Sequence, residues 1–400
     1  MTTPLPGNLH VIAMYAQGGG LSGGDRIFLE LSRRWASQGQ PLSIAVTQEG
    51  KTMCLRNGID SSLVTEWPLE PAPRNRLSHY LRLTLHSLRR ARHALPNIPG
   101  ETIVYSASDF WPDALAAAAA KLRHRASWIA GFYMFAPPPH RGFEGRWRSG
   151  IPRVTDAFYW LSQRLSLPLI IHFADAILVT GEHDRDRLCH YGVPASRVIV
   201  VRGGVDVALA DSTEPGSGPS YDGVFIGRLH VQKGVRQLID IWSRVQLIRP
   251  GSRLAIIGDG PLLADLVEMR DRADLTELID FHGFLDGREK FRIVKRSRVV
   301  LHPSLYDSGG MAACEAFACG LPGVSFDLPE LVTYYPQGMK KVPAYDLDRF
   351  ADAIVSLLDD SPDRLQLSLQ ARQLAEQWDW DNRCVDIGRA INGALAKSSR

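Results

Sequence analysis

One long stretch of this chain contains no acidic residue: residues 71–100 have neither Asp nor Glu. Cysteine is scarce and scattered. Cys54, Cys189, Cys314, Cys319 and Cys384 are odd in number and form no Cys-x-x-Cys pair. That pattern argues against a disulfide framework or a zinc site and fits a reducing compartment. No apolar run reaches the roughly 20 residues that a bilayer-spanning helix needs. The most apolar region, Leu165 to Val179, is interrupted by Pro168, His172 and Asp175. Met1 to Pro6 has no basic segment ahead of an apolar stretch, which predicts no signal peptide. Together these absences predict a cytoplasmic protein without transmembrane helices. A formal net charge of +3 is too small to imply nucleic acid as a partner.

What is present is an ordinary globular composition, 45% hydrophobic over 400 residues, enough for about two domains. Short β-rich apolar runs alternate with longer helical patterns. The strand candidates are Leu9–Met14, Leu42–Val46, Thr102–Tyr105, Ser127–Tyr133, Ala176–Val179 and Val198–Val201, then Gly223–Ile226, Arg253–Ile257, Ile279–His282, Arg298–His302 and Gly323–Phe326. Such alternation predicts parallel sheets covered by helices on both faces. Between the two sets, Asp211 to Tyr221 reads DSTEPGSGPSY, and its Gly, Ser and Pro predict a linker. The expected organisation is a first Rossmann-like domain over 1–207, a linker over 208–221, a second Rossmann-like domain over 222–378 and a terminal helix over 379–400.

Three strand–helix junctions in the second half suit a phosphorylated ligand. In the first, Gly227-Arg228 ends a strand and Lys233-Gly234 opens the next helix, placing two cations beside a helix N-terminus. The second, Ile257-Gly258-Asp259-Gly260-Pro261, permits a tight turn and close backbone approach, and serves equally as a plain structural turn. The third is the sharpest. His302-Pro303-Ser304 ends a strand, Gly309-Gly310 follows Asp307, and the alanine-rich stretch Met311 to Cys319 leads to Gly320 and Pro322. Paired glycines there offer bare backbone N–H groups to a diphosphate. Glu315, one turn further on, is the wrong sign for phosphate; it either accepts from sugar hydroxyls or serves as a partner of the helix dipole.

At these residues the chain resembles the retaining glycosyltransferases of family 4, which have the GT-B fold. Their pattern sets two acids across seven intervening positions, read here as Asp307 to Glu315 and closed by Ala316-Phe317-Ala318-Cys319-Gly320-Leu321-Pro322. Gly227 to Gly234, Ile257 to Pro261, His282-Gly283-Phe284 and Trp378-Asp379-Trp380-Asp381 resemble further motifs of that family, in order. The resemblance implies two Rossmann-like domains facing across a cleft, with the C-terminal helix crossing back to the first. It implies that Arg228 and Lys233 bind the diphosphate of a UDP- or GDP-linked sugar donor and that Glu315 binds ribose hydroxyls. Backbone N–H groups from Gly309 through Gly310 to Met311 would face donor oxygens, and Asp307 would contact the transferred sugar. The family usually has Glu at the position of Asp307 and Asn at that of Gly203, in Arg202-Gly203-Gly204-Val205-Asp206.

In the first half, a strand leads to Gly18-Gly19-Gly20-Leu21-Ser22-Gly23-Gly24. This is not a G-x-G-x-x-G dinucleotide fingerprint with an acid after the next strand, which disfavours a dehydrogenase. It resembles the family's first glycine loop, so Gly19 and Gly20 are expected beside the donor. Many members carry a histidine at the end of this half's fourth strand. Here Gly131-Phe132-Tyr133 stands there, and Tyr133, His140 and Asp109 are the nearby polar groups. The expected chemistry is retention through an oxocarbenium-like species, the departing phosphate helping to deprotonate the acceptor. It calls for no cofactor and no metal. Asp184-Arg185-Asp186 and Asp379-Trp380-Asp381 are Asp-x-Asp tripeptides without a strand before them.

The acid-free stretch carries Arg74, Arg76, Arg82, Arg89, Arg90 and Arg92. At about 100° per residue, Leu77, Leu81, Leu85, Leu88 and Leu95 fall on one side, and His79, Arg82, His86, Arg89 and His93 on the other. Residues 74–93 thus read as a basic amphipathic helix. It either packs on its own domain with a solvated basic face or docks on anionic lipid, which would place the protein peripherally at the inner face of the membrane. Arg141, Arg146, Arg148 and Arg153 are candidates to extend that surface. The expected function is glycosyl transfer to a glycan or lipid-linked acceptor. The alternatives are a non-catalytic nucleotide-sugar-binding or scaffold protein and a sugar-nucleotide epimerase.

Overall fold

A computed structural model describes residues 4–16, 21–69, 75–93, 101–147, 153–359 and 362–398. Gly19, Gly20, Arg74, Leu95 and Arg148 lie outside these residues. The chain divides into two units. The first is Met1–Pro139, Arg153–Val201 and Asp381–Arg400; the second is His140–Pro152 and Arg202–Trp380.

In the first unit the strands are β1 (Asn8–Ile12), β2 (Leu42–Val46), β3 (Val64–Glu66), β4 (Thr102–Ser106), β5 (Ser127–Gly131), β6 (Ala176–Val179) and β7 (Val198–Val200). They form a parallel sheet in the order β3-β2-β1-β4-β5-β6-β7. Helices α1 (Gly23–Ser37), α2 (Gln48–Arg56), α3 (Arg76–His93), α4 (Trp111–His124), α5 (Val154–Phe173) and α6 (Glu182–His190) connect them. The order reverses between β1 and β4, as in a doubly wound sheet. Ile12, Val104, Trp128, Phe132 and Ile177 sit in its core. Helix α5 runs through Pro168.

The second unit holds β8 (Tyr221–Ile226), β9 (Leu254–Ile257), β10 (Ile279–Phe281), β11 (Ser297–His302), β12 (Gly323–Phe326) and β13 (Met339–Val342). They too are parallel, in the order β10-β9-β8-β11-β12-β13. Its helices are α7 (Val207–Asp211), α8 (Val235–Ile248), α9 (Leu263–Arg272), α10 (Gly287–Val294), α11 (Ala312–Ala318), α12 (Pro329–Tyr334), α13 (Leu347–Leu358) and α14 (Pro362–Gln377). The last helix, α15 (Trp380–Ser398), starts here and returns to the first unit. Both sheets are Rossmann-like, as the alternation of strands and helices predicts.

The basic helix packs in an unexpected way. The buried residues of α3 are Tyr80, Leu83, Thr84, Ser87 and Ala91, which lean on the alanine-rich α4. Small and short polar side chains let the two helices approach closely. The leucine stripe is turned about a quarter of a turn away. Leu77, Leu81 and Leu85 are 49%, 42% and 55% exposed. On the neighbouring α5, Leu161 and Leu165 are exposed as well. Tyr80 joins the two helices, with its ring 5.3 Å from that of Phe158 and its hydroxyl 3.1 Å from Ser162 Oγ. No helix among the described residues is long and apolar enough to cross a membrane.

Candidate active site

β8 and β11 are neighbours, and the strand order of the second sheet reverses between them. Loops leaving the C-terminal ends of such a pair diverge and open a crevice, where doubly wound sheets bind ligands. Here the two loops are tied together. Leu305 and Tyr306 both donate their N–H to Gln232 O, at 2.9 and 3.3 Å. Gly234 lies at φ +64°, and a Cβ on it would come 1.9 Å from Pro303 O. Glycine is therefore required there, and Lys233 beside it is delivered to the β11 loop.

Lys233 Nζ lies 2.7 Å from Asp307 Oδ2. The other carboxylate oxygen turns back into its own loop. Asp307 Oδ1 accepts the N–H of Ser308 at 2.9 Å, of Gly309 at 3.2 Å and of Gly310 at 2.9 Å. An aspartate reaches its own backbone two or three residues on, which is the geometry of an Asx turn. Gly310 closes this turn at φ +43°, and a side chain there would strike the His302 ring. The short arm of Asp307 thus has a structural consequence. The N–H groups of Gly309 and Gly310, expected to face donor oxygens, are given to Asp307. That of Met311 has no acceptor among the described residues.

His302 completes the cluster. Its Nε2 lies 3.1 Å from Asp307 Oδ2 and 3.1 Å from Ser304 Oγ. An ionised carboxylate only accepts, so Nε2 carries the proton. Burial pushes the His302 imidazole below its usual value, against the pull of Asp307. Burial pushes the Asp307 carboxyl up, but Lys233 and His302 overcome it and hold the group well below the carboxylate range.

Glu315, on α11, is paired with a residue that the sequence did not single out. Lys290 Nζ lies 2.6 Å from Glu315 Oε1 and 2.8 Å from Asp286 Oδ1. Asp286 also caps α10 by accepting the Gly287 N–H at 2.9 Å. Lys290 thereby supplies the counter-charge of both carboxylates. One signal was legible: Lys290 sits four residues before Val294, on the buried face of an amphipathic helix. Arg228 is the contrast. It is exposed, and its guanidinium makes no ion pair among the described residues. Of these charged groups it is the one whose charge is uncommitted.

The Gly258-Asp259-Gly260 turn braces the β8 loop from behind. A Cβ at Gly258 would lie 1.8 Å from Gly227 O, and Leu229 N–H donates to Asp259 O at 2.9 Å. Gly203, where the family has Asn, is explained by Met311. A Cβ at Gly203 would fall 1.7 Å from Met311 Sδ, so the methionine fills the space of a side chain at 203.

In the first unit Tyr133 takes the strand-end position. It is buried, its hydroxyl pairs with that of Tyr105, and its ring lies against Gly24 at the start of α1. Asp109 is buried and accepts from Gln163 Nε2 at 2.9 Å, and burial pushes its carboxyl up to about 6. His140 is exposed. The two Asp-x-Asp tripeptides are divided among other duties. Asp184 is buried on α6, Asp379 Oδ2 accepts the Val207 N–H at 3.3 Å, and Asp381 Oδ1 pairs with Arg34 Nε at 2.5 Å. Among the described residues no three His, Cys, Asp or Glu side chains are grouped to hold a metal ion.

Residues 21–209 match the family described as Glycosyltransferase Family 4, and residues 221–360 match Glycosyl transferases group 1. A glycogen synthase of Mycobacterium tuberculosis is 28% identical over 234 residues, spanning 55% of this chain and only 56% of that protein. A D-inositol 3-phosphate glycosyltransferase of Jonesia denitrificans is 26% identical over 409 residues, or 95% of this chain and 93% of that one. The crystal structure of Anabaena Alr3699/HepE in complex with UDP-glucose superposes with a TM-score of 0.72 at 17% identity, covering 98% of this chain and 100% of that one. Likeness at that identity speaks for the fold. With a family match in each half, two parallel doubly wound sheets and a last helix that returns to the first, the chain is a member of the GT-B-fold glycosyltransferases, related to family 4 and to the group 1 glycosyl transferases.

Proposed function

We propose that this protein is a retaining glycosyltransferase that moves a sugar from a nucleotide-diphosphate donor to a glycan or lipid-linked acceptor. The observation that carries the reading is the gathering of Arg228, Lys233, Asp307 and Glu315 on the loops after β8 and β11 and on the helix that follows, at the switch point of one sheet. Arg228, free of counter-charge, takes the diphosphate and stabilises it as it leaves. Glu315 accepts from the ribose hydroxyls. Asp307, anchored in its own loop, holds Lys233 in place beside the sugar. The departing phosphate accepts the acceptor's proton on the face it leaves, which yields retention without a protein nucleophile and routes no step through a metal. The UDP-glucose held by the Anabaena protein makes a UDP-sugar the first donor to test, before a GDP-sugar. Release of nucleoside diphosphate from a donor panel, in the presence of a glycolipid extract, tests the reading. Donor binding without any release favours the second reading.

That second reading is a non-catalytic nucleotide-sugar-binding protein. It is favoured by two observations: Asp307 is turned into its own loop, and a buried Tyr133, not a histidine, follows the end of β5.

The acceptor side of the reading is a lipid surface. The exposed leucines of α3 are flanked by Arg82 and Arg89 with no acidic residue on the helix, and the exposed leucines of α5 lie beside Arg164. An apolar stripe edged by cations suits the interface of an anionic membrane. Flotation with anionic and neutral vesicles at low salt tests this. Equal recovery with both counts against it.

A further inference from the structure

Lys290 is too deeply buried to reach a ligand itself. It is 4% exposed, whereas the Glu315 side chain that it touches is 19% exposed. Taking an ammonium out of water is strongly unfavourable unless it is paired and hydrogen-bonded. Here the compensation is supplied from both sides, by Asp286 at the N-terminus of α10 and by Glu315 one helix away. An apolar residue would join α10 to α11 without that demand, so a bare packing role does not account for a charge. What the ammonium does is fix one oxygen of Glu315. Oε1 is held at 2.6 Å, and Oε2 has no partner among the described residues.

Resting on the donor-site reading above, we propose that Lys290 is a positioning residue for nucleotide recognition. By holding Oε1 with its positive charge, it presents Oε2 as an acceptor for a vicinal diol, the 2′- and 3′-hydroxyls of the nucleotide's ribose. It acts through Glu315 and touches no ligand.

The test compares binding of UDP, GDP and ADP by the full chain with binding of the 2′,3′-dideoxy analogue of whichever nucleotide binds. Calorimetry on wild type and Lys290→Met gives four affinities. The expected result is a loss of about tenfold for the ribonucleotide in Lys290→Met and less than about twofold for the dideoxynucleotide. A merely structural lysine would weaken both nucleotides alike, and that result overturns the proposal. So does unchanged ribonucleotide binding in the variant. If Lys290→Met does not fold by circular dichroism, Lys290→Gln, which keeps an N–H donor toward Glu315 but no charge, carries the same comparison with the same two outcomes. Wild type that binds none of the three nucleotides overturns the donor-site reading and this proposal with it. Wild type that binds, with Lys290→Met unchanged, overturns the role of Lys290 alone.

Discussion

Lys233 and Asp307, 74 positions apart in the chain, form an ion pair at 2.7 Å across two loops of one sheet, with the carboxylate buried. The pair joins the cation of one motif to the acid of another, and Asp307 in turn satisfies three backbone N–H groups. Asp307→Asn is expected to destabilise the protein at pH 7 by about 1–3 kcal/mol, since a neutral amide leaves Lys233 without its counter-charge. The sign with pH follows from the depressed carboxyl. Its contribution is present above the unfolded value near 3.8 and is lost as pH falls through the folded one. Urea unfolding of both proteins at pH 7 and at pH 3 should show the deficit shrinking at the lower pH. A deficit that is constant with pH contradicts the pair.

Arg228 and Lys233 should separate cleanly. Arg228→Ala removes an exposed, uncommitted cation, so thermal stability should move by no more than about 0.5 kcal/mol, while nucleoside diphosphate binding falls about tenfold or more. Lys233→Ala should lower stability as well, by about 3–5 kcal/mol, because it strands a buried carboxylate. Calorimetry and thermal unfolding on the two variants decide it. Equal stability losses would contradict the assignment.

Gly203 and Met311 share one volume. Gly203→Ala should destabilise by about 1–3 kcal/mol through the clash with Met311 Sδ. Met311→Ala in the same chain should return most of the loss. A double-mutant cycle on unfolding free energies measures the coupling, and simple additivity would count against the contact.

Lys341 supplies a second pH test. Burial, opposed by Asp327, pushes its ammonium down from 10.5 to about 7. It donates to Ser325 Oγ and Leu331 O, both at 3.0 Å. Between pH 7 and 10 the unfolded chain binds a proton there that the folded chain does not. Stability relative to Lys341→Met should therefore rise with pH, by up to about 3–4 kcal/mol across that range. A flat difference between the two proteins from pH 7 to 10 would contradict the burial.

Most strands were legible because both faces of a parallel sheet are covered, so β-branched and apolar residues run on without a break. β3 escaped because three residues at a sheet edge carry little pattern. β13 escaped because Lys340 and Lys341 interrupt it, and only tertiary contacts show both to be half-buried and hydrogen-bonded. The loops were legible through their glycines, since the turns at Gly234 and Gly310 admit little else. The inward turn of Asp307 and the Lys290–Glu315 pair were not. Both depend on which side chains meet across loops and helices, and residue spacing does not encode that. On α3 the leucine periodicity was visible, but the packed face is the one with Thr84, Ser87 and Ala91, because close approach to an alanine-rich helix favours small residues over large ones.

The central claim is that the second unit holds a nucleotide-sugar donor through Glu315. Saturation-transfer NMR with a panel of UDP- and GDP-sugars, on wild type and on Glu315→Gln, tests it most directly. The account predicts that wild type binds at least one of them and that Glu315→Gln binds the same one about tenfold more weakly or worse. No binding by wild type, or equal binding by the variant, would contradict it.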